Sequence, residues 1–190
     1  ILLSMGHTDA TYEQAIKAIQ NGVKHVTHLF NAQTALQHRN PGVVGAALAS
    51  DNVSVEVIAD TFHINPGLYS IIAKVKGDKM VLITDCTRAG GMPDGEYELG
   101  GQQVFLSGGI AKLADGTIAG AATNLFQGMR NAILFGVPEC DAVRAATYNP
   151  ACAMGVQAQV GSIATGKLAD FVVCRSDYTG IRVFQGGAEL

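Results

Sequence analysis

The stretch that decides the fold of this chain is His25-Val26-Thr27-His28-Leu29-Phe30-Asn31-Ala32. It begins as a β-rich apolar run and ends in a histidine, an amide and a small residue. Loop-like sequence follows and reaches Pro41-Gly42. A strand that stops in polar side chains is how α/β barrels present chemistry, at the carboxyl ends of parallel strands. The stretch therefore predicts a strand that carries His28 to a functional edge.

Three further segments repeat this order of apolar strand, polar end and helix. The predicted strands and their polar ends are residues 1–5 with His7, 53–59 with Asp60 to His63, and 79–84 with Asp85. The four units follow one another at roughly 25-residue spacing, which favours a parallel sheet with right-handed crossovers. Random placement would not put a titratable group (His7, His28, His63 or Asp85) at the same end of each strand. The pattern therefore predicts an α/β fold with one shared site.

Helical spacing and turn signals account for most of the remaining chain. Helices are predicted within residues 11–21, 41–50, 66–77, 124–135 and 142–147. Between residues 95 and 120, short β runs alternate with turns, of which Asp115-Gly116 is a strong hairpin signal. Further β structure is predicted over 161–173, ending in a buried run Phe171-Val172-Val173, and over 182–184.

The composition fits one domain of ordinary size and argues against binding to nucleic acid and against a membrane span. The chain has 190 residues, 48% hydrophobic and 15% charged, which is enough for a core. A formal charge of −3 and a pI near 5.9 offer no basic face for nucleic acid. No apolar stretch approaches the ~20 residues of a membrane span. The four cysteines form no C-x-x-C pair, so we expect reduced thiols and a cytoplasmic protein.

His7 and His28 are the candidate metal ligands, because imidazoles from adjacent strand ends can bind one ion. A single histidine is more often structural, and the repeated strand ends favour the metal. Two ligands are too few for a catalytic zinc. The chain starts at Ile1, not Met, and inside an apparent strand, so we expect a piece of a longer protein with a further ligand upstream or elsewhere. Its first residues lack a basic region and are not expected to be a signal peptide. His25 lies on the opposite face of the strand and is assigned to packing.

Asp85 and Arg39 are candidates for catalysis and phosphate binding. A carboxylate at the end of an apolar strand can act as general base on water activated by a metal, although Asp equally often caps a turn. Its neighbour Cys86 is predicted to be a small buried residue and not a nucleophile. Arg39 precedes a helix start, where it can bind phosphate, although a solvated loop arginine is the more common case.

Several motifs resemble the N-acetylglucosamine-6-phosphate deacetylase family of the amidohydrolase superfamily. They are Gly6-His7-Thr8, His28-Leu29-Phe30-Asn31-Ala32, Asp60-Thr61-Phe62-His63, Thr84-Asp85 with Ala89-Gly90, Asp115-Gly116-Thr117-Ile118-Ala119-Gly120 and Gly166-Lys167-Leu168-Ala169-Asp170-Phe171. The His-Leu-Phe-Asn-Ala motif is quite specific, whereas the Lys-x-Ala-Asp ending is shared by many amidohydrolases. The likeness runs over nearly the whole chain.

The resemblance implies a role for each matching residue. His7 and His28 would hold the metal together with an upstream glutamate, and Asp85 would be general base and later acid. Zinc suits such a set, and Fe, Co or Mn would also fit. The residues implied to bind substrate are Asn31, Ala32, Arg39, Asp60, Thr61, Phe62, His63, Ile118, Ala119 and Gly120. In the family, the arginine that corresponds to Arg39 meets the sugar phosphate and can reach in from the partner subunit of a homodimer.

The resemblance also implies an architecture. Residues 1–155 would form the second half of a (β/α)8 TIM-type barrel with a β-hairpin insertion near residues 95–120, and residues 156–190 would add strands to a small β-sandwich. Gln33 and Cys86-Thr87 depart from the family, in which Met and Ala-Met are common. Because these positions line the pocket, we expect them to alter the fit before they affect the chemistry.

The expected activity is removal of the acetyl group from an N-acetyl amino sugar phosphate. One alternative is another amidohydrolase, dihydroorotase-like or aminoacylase-like, against which the His-Leu-Phe-Asn-Ala motif and Arg39 argue. The other is a non-catalytic fragment that binds sugar phosphate or is purely structural. Open strand edges would make such a fragment aggregate, dimerise or pair with a missing half.

Overall fold

The computed structural model describes residues 1–190 and begins with four strands that are joined by three helices. The strands are β1 (Ser4–Met5), β2 (His25–Val26), β3 (Ser54–Ile58) and β4 (Met80–Ile83). The helices between them are α1 (Tyr12–Gln20), α2 (Gly42–Ala49) and α3 (Gly67–Lys76), and a 3-10 turn, Gly77–Lys79, leads into β4. The strands form one sheet in the order β1-β2-β3-β4, and every neighbouring pair is parallel. The predicted α/β organisation is confirmed.

The core lies between this sheet and its helices. Ala15 of α1, Val43 and Val44 of α2 and Tyr69 of α3 are fully buried in the same cluster as Val55 of β3. Burying apolar area of this kind contributes about 25 cal/mol per Å² and drives the packing. Helix α2 is apolar on nearly all sides because it is buried on nearly all sides.

Side chains satisfy free backbone groups at the start of α1 and at the end of α2. At the start of α1, the Thr11 hydroxyl accepts from the Gln14 amide, and the Gln14 side chain accepts from the Thr11 amide at 2.8 Å. This reciprocal pair is a capping box. At the end of α2, the buried ammonium group of Lys76 donates to the carbonyls of Ala47 and Ser50. Burial lowers the pKa of Lys76, and the two carbonyls replace the water that it loses.

Residues 95–121 form a separate antiparallel sheet, which the sequence predicts only as a hairpin insertion. Its strands are β5 (Gly95–Leu99), β6 (Gln102–Ser107), β7 (Ile110–Leu113) and β8 (Ile118–Ala121), paired in chain order. Asp115-Gly116 makes the predicted turn between β7 and β8: Gly116 has a φ of 87°, and the Asp115 carboxylate accepts from the Thr117 amide. A small core of its own, including Val104 and Ala111, supports this sheet.

Three helices follow, α4 (Leu125–Leu134), α5 (Glu139–Ala146) and α6 (Tyr148–Met154). Helix α6 is not predicted from the sequence. Its Pro150 lies in the first turn, where a missing amide hydrogen removes no helical bond. Asn149 of α6 is buried and donates to the carbonyl of Met80 at 2.8 Å, which ties α6 to the start of β4. No helix of the structure has the length and apolar character that crossing a membrane requires.

The chain ends in a three-stranded antiparallel sheet of β9 (Phe171–Val173), β10 (Arg182–Gln185) and β11 (Ala188–Glu189), in the order β11-β10-β9. The β structure predicted from residue 161 therefore begins only at Phe171. The prediction that residues 171–173 are buried is wrong, because Val172 and Val173 are 49% and 44% exposed. Among residues 1–190 no second layer covers them, and the Phe171 and Phe184 rings stack on each other at 4.7 Å.

Candidate active site

The four parallel strands each deliver one chemically active side chain at the same position. His7, His28, Asp60 and Asp85 all lie two residues beyond the last residue of their strand. The prediction that His63 holds this position after the third strand is wrong. Asp60 holds that position, and His63 follows three residues later and bonds to it. Because the strands are parallel and adjacent, all four groups lie at one edge of the sheet.

The backbone at this edge is strained. His7, His28 and Asp85 have φ angles of 47°, 27° and 50°, in the left-handed region that L-residues seldom adopt. Such conformations cost on the order of 1–3 kcal/mol each and persist where the surrounding structure enforces them, as at active sites. Three of the four equivalent positions share this strain, which marks the edge as functional.

His7 and His28 are brought together as predicted. Their Nε2 atoms are 2.8 Å apart and the rings meet edge to face. Without an ion, one ring can donate its N–H to the other; when neither carries a proton at Nε2, both atoms can bind one metal. His28 is buried and its other nitrogen, Nδ1, has no hydrogen-bond partner. A metal ion at Nε2 would compensate the burial of this ring, so the two residues fit a divalent metal.

Residues 1–190 bring two candidate metal ligands together, His7 and His28. No group of three or more His, Cys, Asp and Glu side chains in the structure is arranged to hold an ion. The need for a further ligand, expected from the sequence, therefore stays.

An open cleft of about 650 Å³ lies next to the histidine pair. The residues that line it are His7, Thr8, Asp9, Ala32, Gln33 and Thr34. The Thr8 amide donates to the carbonyl of Ala32 at 3.1 Å, which joins the two walls. Asn31 donates its side-chain amide to the carbonyls of His28 and Leu29, so only its oxygen stays available to a ligand. Gln33 is turned inward and donates to the Thr27 carbonyl at 2.6 Å.

The Asp60 to His63 turn is a compact hydrogen-bonded unit. One oxygen of Asp60 accepts from the amides of Phe62 and His63, and the other accepts from Nδ1 of His63 at 2.6 Å. The Thr61 amide donates to the buried Tyr69 hydroxyl, which supports a φ of 74° at Thr61. The Phe62 ring is 45% exposed and free to contact a ligand.

The acid stability of the protein is expected to depend on Asp60. Burial raises the pKa of this carboxyl, but the hydrogen bonds from His63 and Phe62 outweigh it, and the pKa lies below the ordinary 3.8. A depressed folded-state pKa gives stability that is present above pH 3.8 and lost as the pH falls through the folded value. Asp60→Asn should therefore lower the free energy of unfolding by about 1.5–3 kcal/mol at pH 7. Urea unfolding should show that this difference shrinks below pH 4; a difference that stays constant down to pH 2 would contradict the assignment.

Asp85 lies beside the antiparallel sheet and not in a strand of its own. Its carbonyl accepts from the Ala121 amide at 2.9 Å, and the Ala121 carbonyl accepts from Thr87. Gly120 makes this approach possible: its φ is 70°, and a Cβ there would lie 2.5 Å from Cγ2 of Thr87 and 3.0 Å from the Asp85 carbonyl. The structure thus brings the Asp85 loop against Ile118–Ala121, the β8 strand that contains three predicted substrate residues.

Cys86 is exposed, so the prediction that it is buried is wrong. Its sulfur packs against the open side of Gly90, where an added Cβ would lie only 2.0 Å away. The side chain therefore rests on the loop surface beside Asp85 instead of entering a core.

Arg39 is placed at the predicted position before α2. It is exposed and contacts His38 at 2.8 Å, and it lines a second cleft of about 330 Å³. Asp9 and Thr34 line both clefts, so Arg39 is close to the larger one without entering it. Gly42 begins α2 at the same cleft.

Two supporting residues at this edge are not found by the sequence analysis. Glu56 of β3 accepts from the His25 ring at 2.9 Å and from the His28 amide at 3.2 Å, so His25 is more than the packing residue predicted. Burial raises the pKa of Glu56, but these two hydrogen bonds lower it overall. Asn131 of α4 donates to the carbonyl of Ala59, just before Asp60. A single carboxylate within an apolar strand is the one sequence signal that points to Glu56.

Comparison with known proteins places this site in a family. The sequence profile of the amidohydrolase family matches residues 1–186. The chain is 41% identical over 180 residues to N-acetylglucosamine-6-phosphate deacetylase of Vibrio furnissii, and 37% identical over 177 residues to N-acetylgalactosamine-6-phosphate deacetylase of Escherichia coli O157:H7. These alignments cover 94% and 93% of this chain but 45% and 47% of the relatives, so the chain spans about half their length.

A solved structure agrees with the sequence comparison. The crystal structure of N-acetylglucosamine-6-phosphate deacetylase from Pasteurella multocida superimposes with a TM-score of 0.95 at 35% identity, over 100% of this chain and 50% of that one. The matched region includes all four strand ends described above. The chain belongs to the amidohydrolase family.

Proposed function

We propose that this protein hydrolyses the N-acetyl group of N-acetylglucosamine 6-phosphate, giving glucosamine 6-phosphate and acetate. The observation that carries the proposal is the shared edge at which the His7–His28 pair and Asp85 lie, each two residues beyond a parallel strand. Relatives named for this reaction, or for that of the galactosamine epimer, support the substrate class. An amidohydrolase with another substrate is less well supported, because the named relatives all carry an amino sugar phosphate in their names.

In the proposed mechanism His7 and His28 hold a divalent metal, zinc in preference to Fe, Co or Mn. When bound, the ion supplies Lewis-acid polarisation and acidifies water. Asp85 takes a proton from the attacking water as its oxygen adds to the acetyl carbonyl carbon. The same carboxyl then gives that proton to the amine nitrogen as the C–N bond breaks. Because Asp85 is exposed at the edge, its side chain is free to reach a ligand.

The remaining predicted residues are proposed to hold the sugar phosphate. Asn31 offers its free oxygen, and Ala32 lines the cleft. The exposed Phe62 and the Asp60–His63 pair lie at the neighbouring strand end. Ile118, Ala119 and Gly120 belong to β8, whose end packs against the Asp85 loop through Gly120 and Ala121. Arg39, exposed beside a helix start, is proposed to bind the phosphate, in its own subunit or across a homodimer.

The four parallel units are proposed to be the second half of a TIM-type barrel. In this arrangement residues 1–155 carry the barrel units with the antiparallel sheet as an insertion, and residues 156–190 contribute strands to a small β-sandwich. The open outer edges of β1 and β4 and the exposed faces of β9 and β10 support this view. A cytoplasmic location is proposed from the four free cysteines.

The test of this function is acetate release from a panel of substrates by the purified full chain loaded with Zn²⁺. N-Acetylglucosamine 6-phosphate should be the best substrate, followed by N-acetylgalactosamine 6-phosphate, and unphosphorylated N-acetylglucosamine should be poor. Dihydroorotate and an N-acetyl amino acid test the other amidohydrolase activities. Release of acetate from none of the sugars would refute the proposal, and equal rates with and without phosphate would refute the substrate class.

Arg39→Ala should raise KM for the phosphorylated sugar more than for the unphosphorylated one. A charge-assisted contact to phosphate contributes about 1.5–3 kcal/mol, so the rise should be roughly 10- to 150-fold. Arg88→Ala, which removes an exposed arginine from the loop beside Asp85, is the matched control. Equal effects of Arg39→Ala on the two sugars would exclude a phosphate contact.

A further inference from the structure

Glu56 occupies an unusual position for a carboxylate. It is the only charged residue of β3, lies between the buried Val55 and Val57, and its side chain is 20% exposed. A carboxylate removed from water must be compensated by hydrogen bonds. Glu56 obtains them from a single neighbour, β2 and the turn that follows it.

Three donors converge on this residue. The His25 ring donates to Oε1 at 2.9 Å, the His28 amide donates to Oε2 at 3.2 Å, and the Leu29 amide donates to the Glu56 backbone carbonyl at 2.8 Å. The ladder between β2 and β3 ends with Val26 paired to Val55. Beyond that pair, the His28 amide donates to the Glu56 side chain instead of to a backbone carbonyl of β3.

The backbone carbonyls of His28 and Leu29 are also hydrogen-bonded. The carbonyls of His28 and Leu29 accept from the side chain of Asn31, and the His28 carbonyl accepts from the Asn31 amide as well. The amides and carbonyls of His28 and Leu29 are therefore all bonded. This matters because His28 has a φ of 27°, a conformation that persists only where its surroundings enforce it.

We propose that Glu56, oriented by His25, is the positioning residue that sets the direction of the His28 ring. The proposal rests on the proposed function, in which His28 holds the metal. Glu56 bonds to the His28 backbone and not to its ring, so it acts through the conformation of the turn. By fixing that turn, it keeps Nε2 of His28 at 2.8 Å from Nε2 of His7. Supporting groups of this kind tune metal affinity in other sites.

If Glu56 only stabilised the fold, its loss would act like the loss of Asn149. Asn149 is also a buried polar residue that bonds a neighbouring strand, but it bonds Met80 at the start of β4, the far end from the site. Its loss should lower stability without affecting His28. Metal affinity and amide exchange at His28 therefore separate positioning from stability.

The experiment compares Glu56→Ala, Glu56→Gln, Asn149→Ala and the unaltered full chain. The dissociation constants for Zn²⁺ and Co²⁺ are measured by competition with a chelator, and hydrogen exchange at the His28 amide is followed in the metal-free protein. Glu56→Ala should weaken binding of both ions about 10-fold or more and speed exchange at His28. Glu56→Gln keeps an oxygen acceptor, so its metal affinity and its exchange rate at His28 should fall between those of Glu56→Ala and the unaltered chain. This variant carries the test if Glu56→Ala fails to fold. Asn149→Ala should lower Tm and leave both metal affinities unchanged.

Unchanged metal affinity and unchanged exchange in both Glu56 variants would overturn the inference. So would an equal loss of affinity in Asn149→Ala, because that would show a general effect of stability. His28→Ala distinguishes this failure from failure of the proposed function. If His28→Ala loses the metal while Glu56→Ala keeps it, only the positioning role is wrong; if His28→Ala keeps the metal, the function assigned to His28 is wrong.

Discussion

Asp85→Asn should lower kcat for deacetylation by about 10²- to 10⁴-fold, the range that a general acid–base residue contributes. The substitution preserves the shape of the side chain but removes its ability to take and return a proton. It should also preserve the backbone, because Asn adopts a positive φ more readily than most residues and Asp85 has a φ of 50°. The bond from the Ala121 amide goes to the backbone carbonyl and does not depend on the carboxylate.

The measurement is steady-state kinetics on N-acetylglucosamine 6-phosphate together with metal content and Tm. Metal content should be unchanged, because the proposed ligands His7 and His28 follow other strands. Asp78→Asn is the matched control: it makes the same chemical change at an exposed carboxylate whose contact with Lys79 is only a loose 3.8 Å ion pair. Near-normal turnover by Asp85→Asn would refute the general-base role, whereas a loss of metal with the activity would mean that Asp85 is a ligand.

The strand ends could be predicted because their pattern is periodic and local. An apolar run followed at once by His28 or Asp85 identifies a strand and its polar end, and the parallel arrangement then follows from the alternation with helices. The same reasoning assigned the third strand end to His63. That prediction failed because hydrogen bonds fold residues 60–63 into a turn. The sequence does not show which of the two titratable residues of this turn takes the position equivalent to His28 and Asp85.

Other features depend on contacts that sequence patterns do not encode. Glu56 alternates with buried valines, as a solvent-facing residue of a strand does, yet it faces His25 and His28. Cys86 has an apolar side chain, but its exposure is decided by the contact with Gly90 four residues away. Val172 and Val173 have the composition of a core strand and lie on a sheet that no described residue covers. In each case a three-dimensional contact, present or absent, decides the environment.

His28→Asn should abolish stoichiometric binding of Zn²⁺, an effect as large as the loss of Asp85 but at a different step. The usual replacement, His28→Ala, removes the ligand and also puts alanine at a φ of 27°, so a loss of metal could follow from a disturbed turn. Asparagine tolerates that backbone better and keeps a polar side chain, and its amide is too short to take the place of Nε2 beside His7. The two variants together therefore separate ligation from backbone strain: both should lose the metal, and Asn should stay closer to the unaltered protein in Tm.

The matched control for this prediction is His63→Asn. His63 is another buried histidine of the same edge, but its ring bonds Asp60 and not His7. It should keep one Zn²⁺ per chain, as judged by elemental analysis after gel filtration, while KM for the sugar phosphate rises. If His28→Asn retained the metal at the stoichiometry of His63→Asn, the 2.8 Å approach of His7 and His28 would be a hydrogen bond between two structural residues and not a metal site. The buried His28 ring has no partner at Nδ1, so a single hydrogen bond to His7 would stabilise it little. We therefore expect that the pair binds the metal and that His28→Asn loses it.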